Sequence, residues 1–174
     1  MKKILMTIAA AFVAVSMSAQ VYVGGSLGFT STSYQQDGVD SDTHITILPE
    51  IGYNLDDNFA IGASFGYESY SDNDKYFAIN PYARYTFAKF DNISLFVDGG
   101  LNFKSGKDGN DFTELGIGFK PGIAVNLTDK ISFVSHLGFL GFKEYNPEGD
   151  DNNRTTFGFD MSGMNLNFGL YFNF

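Results

Sequence analysis

Residues 115–127 read Leu115-Gly116-Ile117-Gly118-Phe119-Lys120-Pro121-Gly122-Ile123-Ala124-Val125-Asn126-Leu127. The odd positions are apolar, mostly bulky, and the even ones are small or polar. A repeat of two places successive side chains on opposite faces of a strand, so each face meets a different environment. The same alternation runs in both directions from this stretch. Before it come Val21–Phe29, Ile45–Leu55, Phe59–Tyr67, Phe77–Phe87 and Ile93–Phe103; after it come Ile131–Phe139 and Met164–Phe174. After Gln20 no window carries apolar residues at i, i+3, i+4 and i+7. The expected fold is all-β, an eight-stranded antiparallel up-and-down barrel in one domain, residues 20–174.

Composition narrows the function classes. The chain has 174 residues with 20 Gly, 19 Phe and 10 Tyr, no Cys, and a formal charge of -9. Lack of Cys excludes disulfide frameworks, thiolate metal sites and Cys nucleophiles. A net acidic protein repels phosphate backbones, so nucleic acid is not an expected partner. Abundant aromatics with few charges argue against disorder.

The start of the chain reads as a targeting segment. Met1-Lys2-Lys3 is basic, Ile4–Val15 is apolar, and Ser16-Met17-Ser18-Ala19 supplies small residues for cleavage. That order is a secretory signal peptide, expected over residues 1–19. Its apolar part is shorter than the roughly 20 residues a helix needs to cross a bilayer. Connections alternate in character. Asp56-Asp57-Asn58, Ala88–Asn92 and Thr128-Asp129-Lys130 read as tight turns, whereas Gln35–Thr43, Ser71–Lys75, Gly106–Asp111 and Asn146–Asn153 are mostly longer and acidic or amide-rich. Pro49, Pro81 and Pro121 recur six residues before a strand end, and bulges or widened pairs are expected there. A further bulge is expected near Ser162-Gly163, where the apolar parity changes.

Alternation alone fits a soluble barrel or a membrane barrel. The polar face decides between them, because it is mostly Gly, Ser, Ala, Thr and Asn, with too few charges for a water-facing exterior. Those residues suit a narrow lumen. The apolar face then meets lipid, with Tyr53, Phe59, Tyr85, Phe87 and Phe172 near the short turns. Tyr67, Tyr70, Tyr76, Phe103, Phe139 and Tyr145 are expected as a second rim near the long loops. A soluble lipocalin-like binder with its apolar face inside is the structural alternative.

With its signal segment, eight amphipathic strands, alternating turns and loops, and terminal Leu170-Tyr171-Phe172-Asn173-Phe174, the chain resembles the small outer-membrane β-barrels of Gram-negative bacteria, the OmpX and OmpA-barrel type often labelled porin-like. The resemblance implies residence in the cell outer membrane among its lipids. It also implies that Phe174, Phe172 and Leu170 form a C-terminal signal read by the outer-membrane assembly machinery.

Counting from the short-turn side puts Glu50, Arg84, Asp98, Lys120 and His136 inside the barrel at similar heights. Glu68, Lys104, Glu114 and Asp160 point inward nearer the loops. Buried charges must pair, so Arg84 and Lys120 are expected to bind Glu50 and Asp98. That lumen ionic network reads either as a plug or as a proton or ion path, and a narrow barrel favours the plug. Ser135 and His136 are adjacent and face opposite sides, which disfavours a Ser–His nucleophile and a lipid-modifying enzyme. No phosphate-cradling Gly loop precedes a helix, and the acidic loops do not match calcium-loop spacing. No catalytic, cofactor or metal site is therefore expected. The role read from the chain is structural or surface-interacting, with an extracellular partner met through Asp37, Asp40, Asp42, Asp72, Asp74, Asp108, Asp111, Glu148, Asp150 and Asp151. A narrow porin-like pore is the second reading.

Overall fold

The computed structural model describes residues 20–32, 42–70, 75–108, 110–147, 153–161 and 166–174. The expected signal segment, much of the long acidic connections and the Ser162-Gly163 bulge lie outside them. The strands are β1 (Val21–Thr32), β2 (Asp42–Asn54), β3 (Phe59–Tyr70), β4 (Lys75–Phe90), β5 (Ile93–Asp108), β6 (Asn110–Asn126), β7 (Ile131–Leu137), β8 (Phe139–Pro147), β9 (Arg154–Asp160) and β10 (Leu166–Asn173). Consecutive strands β1 to β6 pair antiparallel. β6 then pairs with both β7 and β8, β8 pairs with β9, and β7 pairs with β10. Thus β7–β8 and β9–β10 are the two halves of a seventh and an eighth traverse. The ring closes where β1 meets β10, from Tyr22↔Asn173 to Ser26↔Gly169.

The faces are inverted relative to a water-soluble protein. Outward residues such as Ile47, Ile51, Ile61 and Phe65 are exposed, Leu27 by 81%, whereas inward Glu50, Asn80 and Asp98 are buried, Asp98 to 3% exposure. Apolar surface costs about 25 cal/mol per Å² to leave in water, so this exterior belongs in lipid and the lipocalin-like alternative fails.

Pro49, Pro81 and Pro121 each interrupt the ladder on one side only. Pro49 pairs with Gly25, Pro81 with Ala63 and Pro121 with Val97. Toward the following strand, pairing jumps from Ile47↔Tyr67 to Glu50↔Ser64, and from Ile79↔Phe103 to Tyr82↔Gly100. A residue without an N–H cannot donate there. At Pro121 the jump, from Phe119↔Leu140 to Gly122↔His136, also slips the register by a residue. The slack is taken up at Gly138, whose φ of 129° suits a residue without a Cβ.

That slip corrects two expectations. The seventh traverse is not one uninterrupted alternation, because parity reverses after Gly138. Phe139 and Tyr145 consequently point into the lumen instead of joining the outer rim, and Phe139 is fully buried. Tyr76 also points inward, by the even parity it shares with Arg84 on β4, and it and Tyr145 flank the Phe112 ring at centroid distances of 5.2 and 5.0 Å. A further difference lies at the β4–β5 hairpin. The strands run on to a tight Asp91-Asn92 turn, with a bulge between Thr86 and Ala88.

Large lumen rings fit because the facing strand offers no side chain. A Cβ on Gly52 would fall 2.0 Å from Tyr22 Cζ, and one on Gly122 would fall 2.3 Å from Phe96 Cζ. Gly52→Val should therefore destabilise the barrel by about 1–3 kcal/mol. The check is a lower urea midpoint for loss of the unboiled, fast-migrating band on a detergent gel.

The short turns are tied by side chains. Asp56 Oδ1 accepts the backbone N–H groups of Asn58 at 2.7 Å and Phe59 at 2.8 Å. Thr128 Oγ1 does the same for Lys130 and Ile131. Those two donated bonds hold the Asp56 carboxyl below its ordinary value of 3.8. With the folded value depressed, its contribution is present above the unfolded value and fades as pH falls through the folded one. A carboxyl NMR titration of Asp56 should give a midpoint below 3.8. Asp56→Asn, which keeps the acceptor oxygen, should remove that component of the acid sensitivity.

Candidate functional site

The lumen cluster begins as a row across three strands. Arg84 on β4 pairs with Asp98 on β5, and Asp98 pairs with Lys120 on β6. Glu50 on β2 and His136 on β7 reach it from the other sides. Arg84 Nε donates to Asp98 Oδ1 at 2.7 Å and Nη2 to Oδ2 at 2.8 Å, a bidentate pair. Nη2 also donates to Glu50 Oε1 at 3.2 Å and lies 3.3 Å from His136 Nε2. His136 Nε2 is 2.9 Å from Asp98 Oδ2, and its Nδ1 is 3.2 Å from Asn167 Oδ1. The Tyr82 hydroxyl donates to Glu50, and its oxygen is 2.6 Å from that of Tyr22.

Aromatic rings enclose the guanidinium. Arg84 Cζ lies 4.0 Å from the Phe96 centroid, with Tyr82 at 5.2 Å, Tyr22 at 5.5 Å and Tyr171 at 5.8 Å. Desolvated contacts of this type stabilise a cation by about 2 kcal/mol or more. Sequence reasoning did not single out these rings. The signal was available, since Tyr22, Tyr82 and Phe96 at even positions and Tyr171 at an odd one fall on the lumen-facing set of their strands, which is mostly small or polar.

Lys120 lies at the same level and lines the same central cavity as Glu50, Asp98 and His136. Among the described residues it makes no hydrogen bond or ion pair, so Arg84 alone bonds both carboxylates. Lys104, Glu114 and Asp160 also face inward nearer the loops, where Asp160 pairs with Lys143. The Glu68 side chain lies outside what the structure describes.

Glu50, Asp98 and His136 offer ligand atoms within 4.8 Å of one another. Arg84 Nη2 already stands within 3.3 Å of all three. The residues present therefore do not fit a metal ion, because a fixed cation fills the place it would need. Ser135 faces outward beside Phe168, opposite in direction to His136. The arrangement offers charge neutralisation and hydrogen bonding, without a nucleophile beside a base.

Space in the lumen is divided by this cluster. A vestibule of about 840 Å³ at the short-turn end has Arg84, Tyr22, Phe96 and Tyr171 among its lining. The central cavity, bordered by Tyr171 and Phe139, holds about 30 Å³. At the ring closure, Leu170, Phe172 and Phe174 point outward, and the Phe174 N–H donates to the Val21 carbonyl.

The family model described as "Outer membrane protein beta-barrel domain" matches residues 4–174. No curated protein matches the chain in sequence. Among solved structures, the chain is similar to Neisserial surface protein A, at 16% identity and a TM-score of 0.58 over 90% of this chain and 98% of that one. It is also similar to the N-terminal β-barrel domain of Pseudomonas aeruginosa OprF, at 13% identity and a TM-score of 0.54, again over 90% and 98%. At such identities the likeness shows the fold.

Removing Arg84 leaves two buried carboxylates facing each other. Arg84→Met should cost about 3–5 kcal/mol of folding stability. Adding Glu50→Gln and Asp98→Asn should return most of it. Urea titration of the barrel in lipid vesicles measures both.

Proposed function

The chain belongs to the outer-membrane β-barrel domain family, and from that premise we propose that it is a non-enzymatic structural or surface-interaction protein whose lumen is plugged by its own side chains. Its place is the cell outer membrane. The observation that carries the plug is Arg84, bonded to Glu50 and Asp98 and ringed by Tyr22, Tyr82, Phe96 and Tyr171 at mid-barrel. The space left beside it, about 30 Å³, has room for no more than a few waters. In this reading the acidic connections on the long-loop side present the contact surface for an extracellular partner. The outward Leu170, Phe172 and Phe174 serve as the signal for the assembly machinery.

A narrow pore is the second reading, favoured by the large vestibule that leads to the plug from the short-turn side. Planar-bilayer recording on the folded protein separates them. The plug predicts no stable single-channel openings at neutral pH. Sustained openings of the unaltered protein would replace it with the pore.

A further inference from the structure

Gln20 follows the small residues Ser16-Met17-Ser18-Ala19 and immediately precedes β1, so removal of residues 1–19 makes it the first residue of the chain. The barrel grips this residue by both of its oxygens. The Asn54 N–H donates to the Gln20 carbonyl at 2.7 Å, one rung of the β1–β2 ladder beyond Val21↔Tyr53. The Tyr53 hydroxyl donates to Gln20 Oε1. The Gln20 N–H, by contrast, donates to no group among the described residues. Cutting the chain at that nitrogen therefore breaks none of the sheet's bonds. Gln20 and Tyr53 are both exposed at the short-turn end of the wall.

We propose that Gln20 becomes the N-terminus and closes on itself to a pyroglutamyl lactam, whose oxygen stays on the Tyr53 hydroxyl. The proposal rests on the expected signal segment and on its removal after Ala19. An N-terminal Gln carries nucleophile and electrophile in one residue, so the reaction is intramolecular and needs no co-reactant. The α-amine nitrogen attacks the side-chain carbonyl carbon, and an N–Cδ bond forms. The Cδ–Nε2 bond then breaks, and Nε2 leaves as ammonia with the proton that the amine gives up. Nothing is oxidised or reduced. Ordinary α-amines titrate close enough to neutrality for the uncharged nucleophile to be present. Negative charge develops on Oε1 while Cδ is tetrahedral, and the Tyr53 hydroxyl is a donor already aimed at that atom. Oε1 remains in the lactam, so the same bond holds the product. A neutral ring also suits the place, because Tyr53 faces outward in the aromatic rim, where an ammonium would stand beside lipid.

The test takes the full chain as its source bacterium makes it, extracted from the outer membrane, and measures the intact mass and the fragmented terminal peptide. The expected mass is that of residues 20–174 less one ammonia, with the loss on Gln20 and no α-amine open to labelling. Gln20→Ala should show no such loss and a labelled terminus, while the unboiled gel band stays unchanged. A chain that starts at Gln20 with a free amine overturns the lactam although the signal reading stands. A chain that starts at Ala19 or at Met1 overturns both the lactam and the cleavage site, and its mass tells which. For the donor, a barrel released at Gln20 by a site-specific protease is held in detergent at neutral pH. It should lose ammonia about fivefold more slowly in Tyr53→Phe, the equivalent of one hydrogen bond of about 1 kcal/mol. Equal rates overturn the role of Tyr53.

Discussion

Closure of β1 on β10 is the constraint from which the other features follow. In hydrocarbon, every backbone N–H and C=O must find a partner within the protein, and only a closed ring does this for strands. Bringing Tyr22–Ser26 against Gly169–Asn173 makes the ring out of eight traverses. That number leaves a lumen barely wider than the side chains it contains. Polar residues sent inward by the alternation are thereby removed from both water and lipid. They have to satisfy one another.

Arg84 is how the centre of the lumen meets that demand. A guanidinium is planar, always charged and carries several donors, so it can serve Asp98 bidentately and still reach Glu50. Its flat face accepts the Phe96 ring at 4.0 Å, which lets a charged group sit within an aromatic layer. The rings themselves depend on glycine. Tyr22 lies over Gly52 and Phe96 over Gly122, so bulky and absent side chains alternate around the wall. The ionic cluster, the aromatic layer and the glycines form one packing solution. It also makes a metal redundant at Glu50, Asp98 and His136.

The lumen lining changes parity beside Pro121. The missing N–H there opens the ladder, Gly138 absorbs an extra residue, and the inward set switches from even to odd numbers. Phe139 is turned into the lumen and caps the central cavity. Beyond it, Lys143, Arg154 and Thr156 line a cavity of about 360 Å³ toward the long-loop end, while the vestibule lies at the short-turn end. A single irregularity in pairing thus sets which side chains fill the lumen beyond Gly138.

By itself the sequence determined the strand count, the inward and outward faces and the mid-barrel level of Glu50, Arg84, Asp98, Lys120 and His136. All of these follow from a period of two and the distance to a turn, which are local properties of the chain. Pro49, Pro81 and Pro121 announced where the ladder would break for the same reason, since an absent N–H is written in the residue. The tertiary structure alone decided that Arg84 bonds both carboxylates while Lys120 bonds neither, that four rings enclose the guanidinium, and that Phe139 and Tyr145 point inward. Which cation reaches which carboxylate depends on the register between strands distant in sequence. How the slack opposite Pro121 is absorbed depends on two strands together, so parity beyond Gly138 could not be counted from either strand alone.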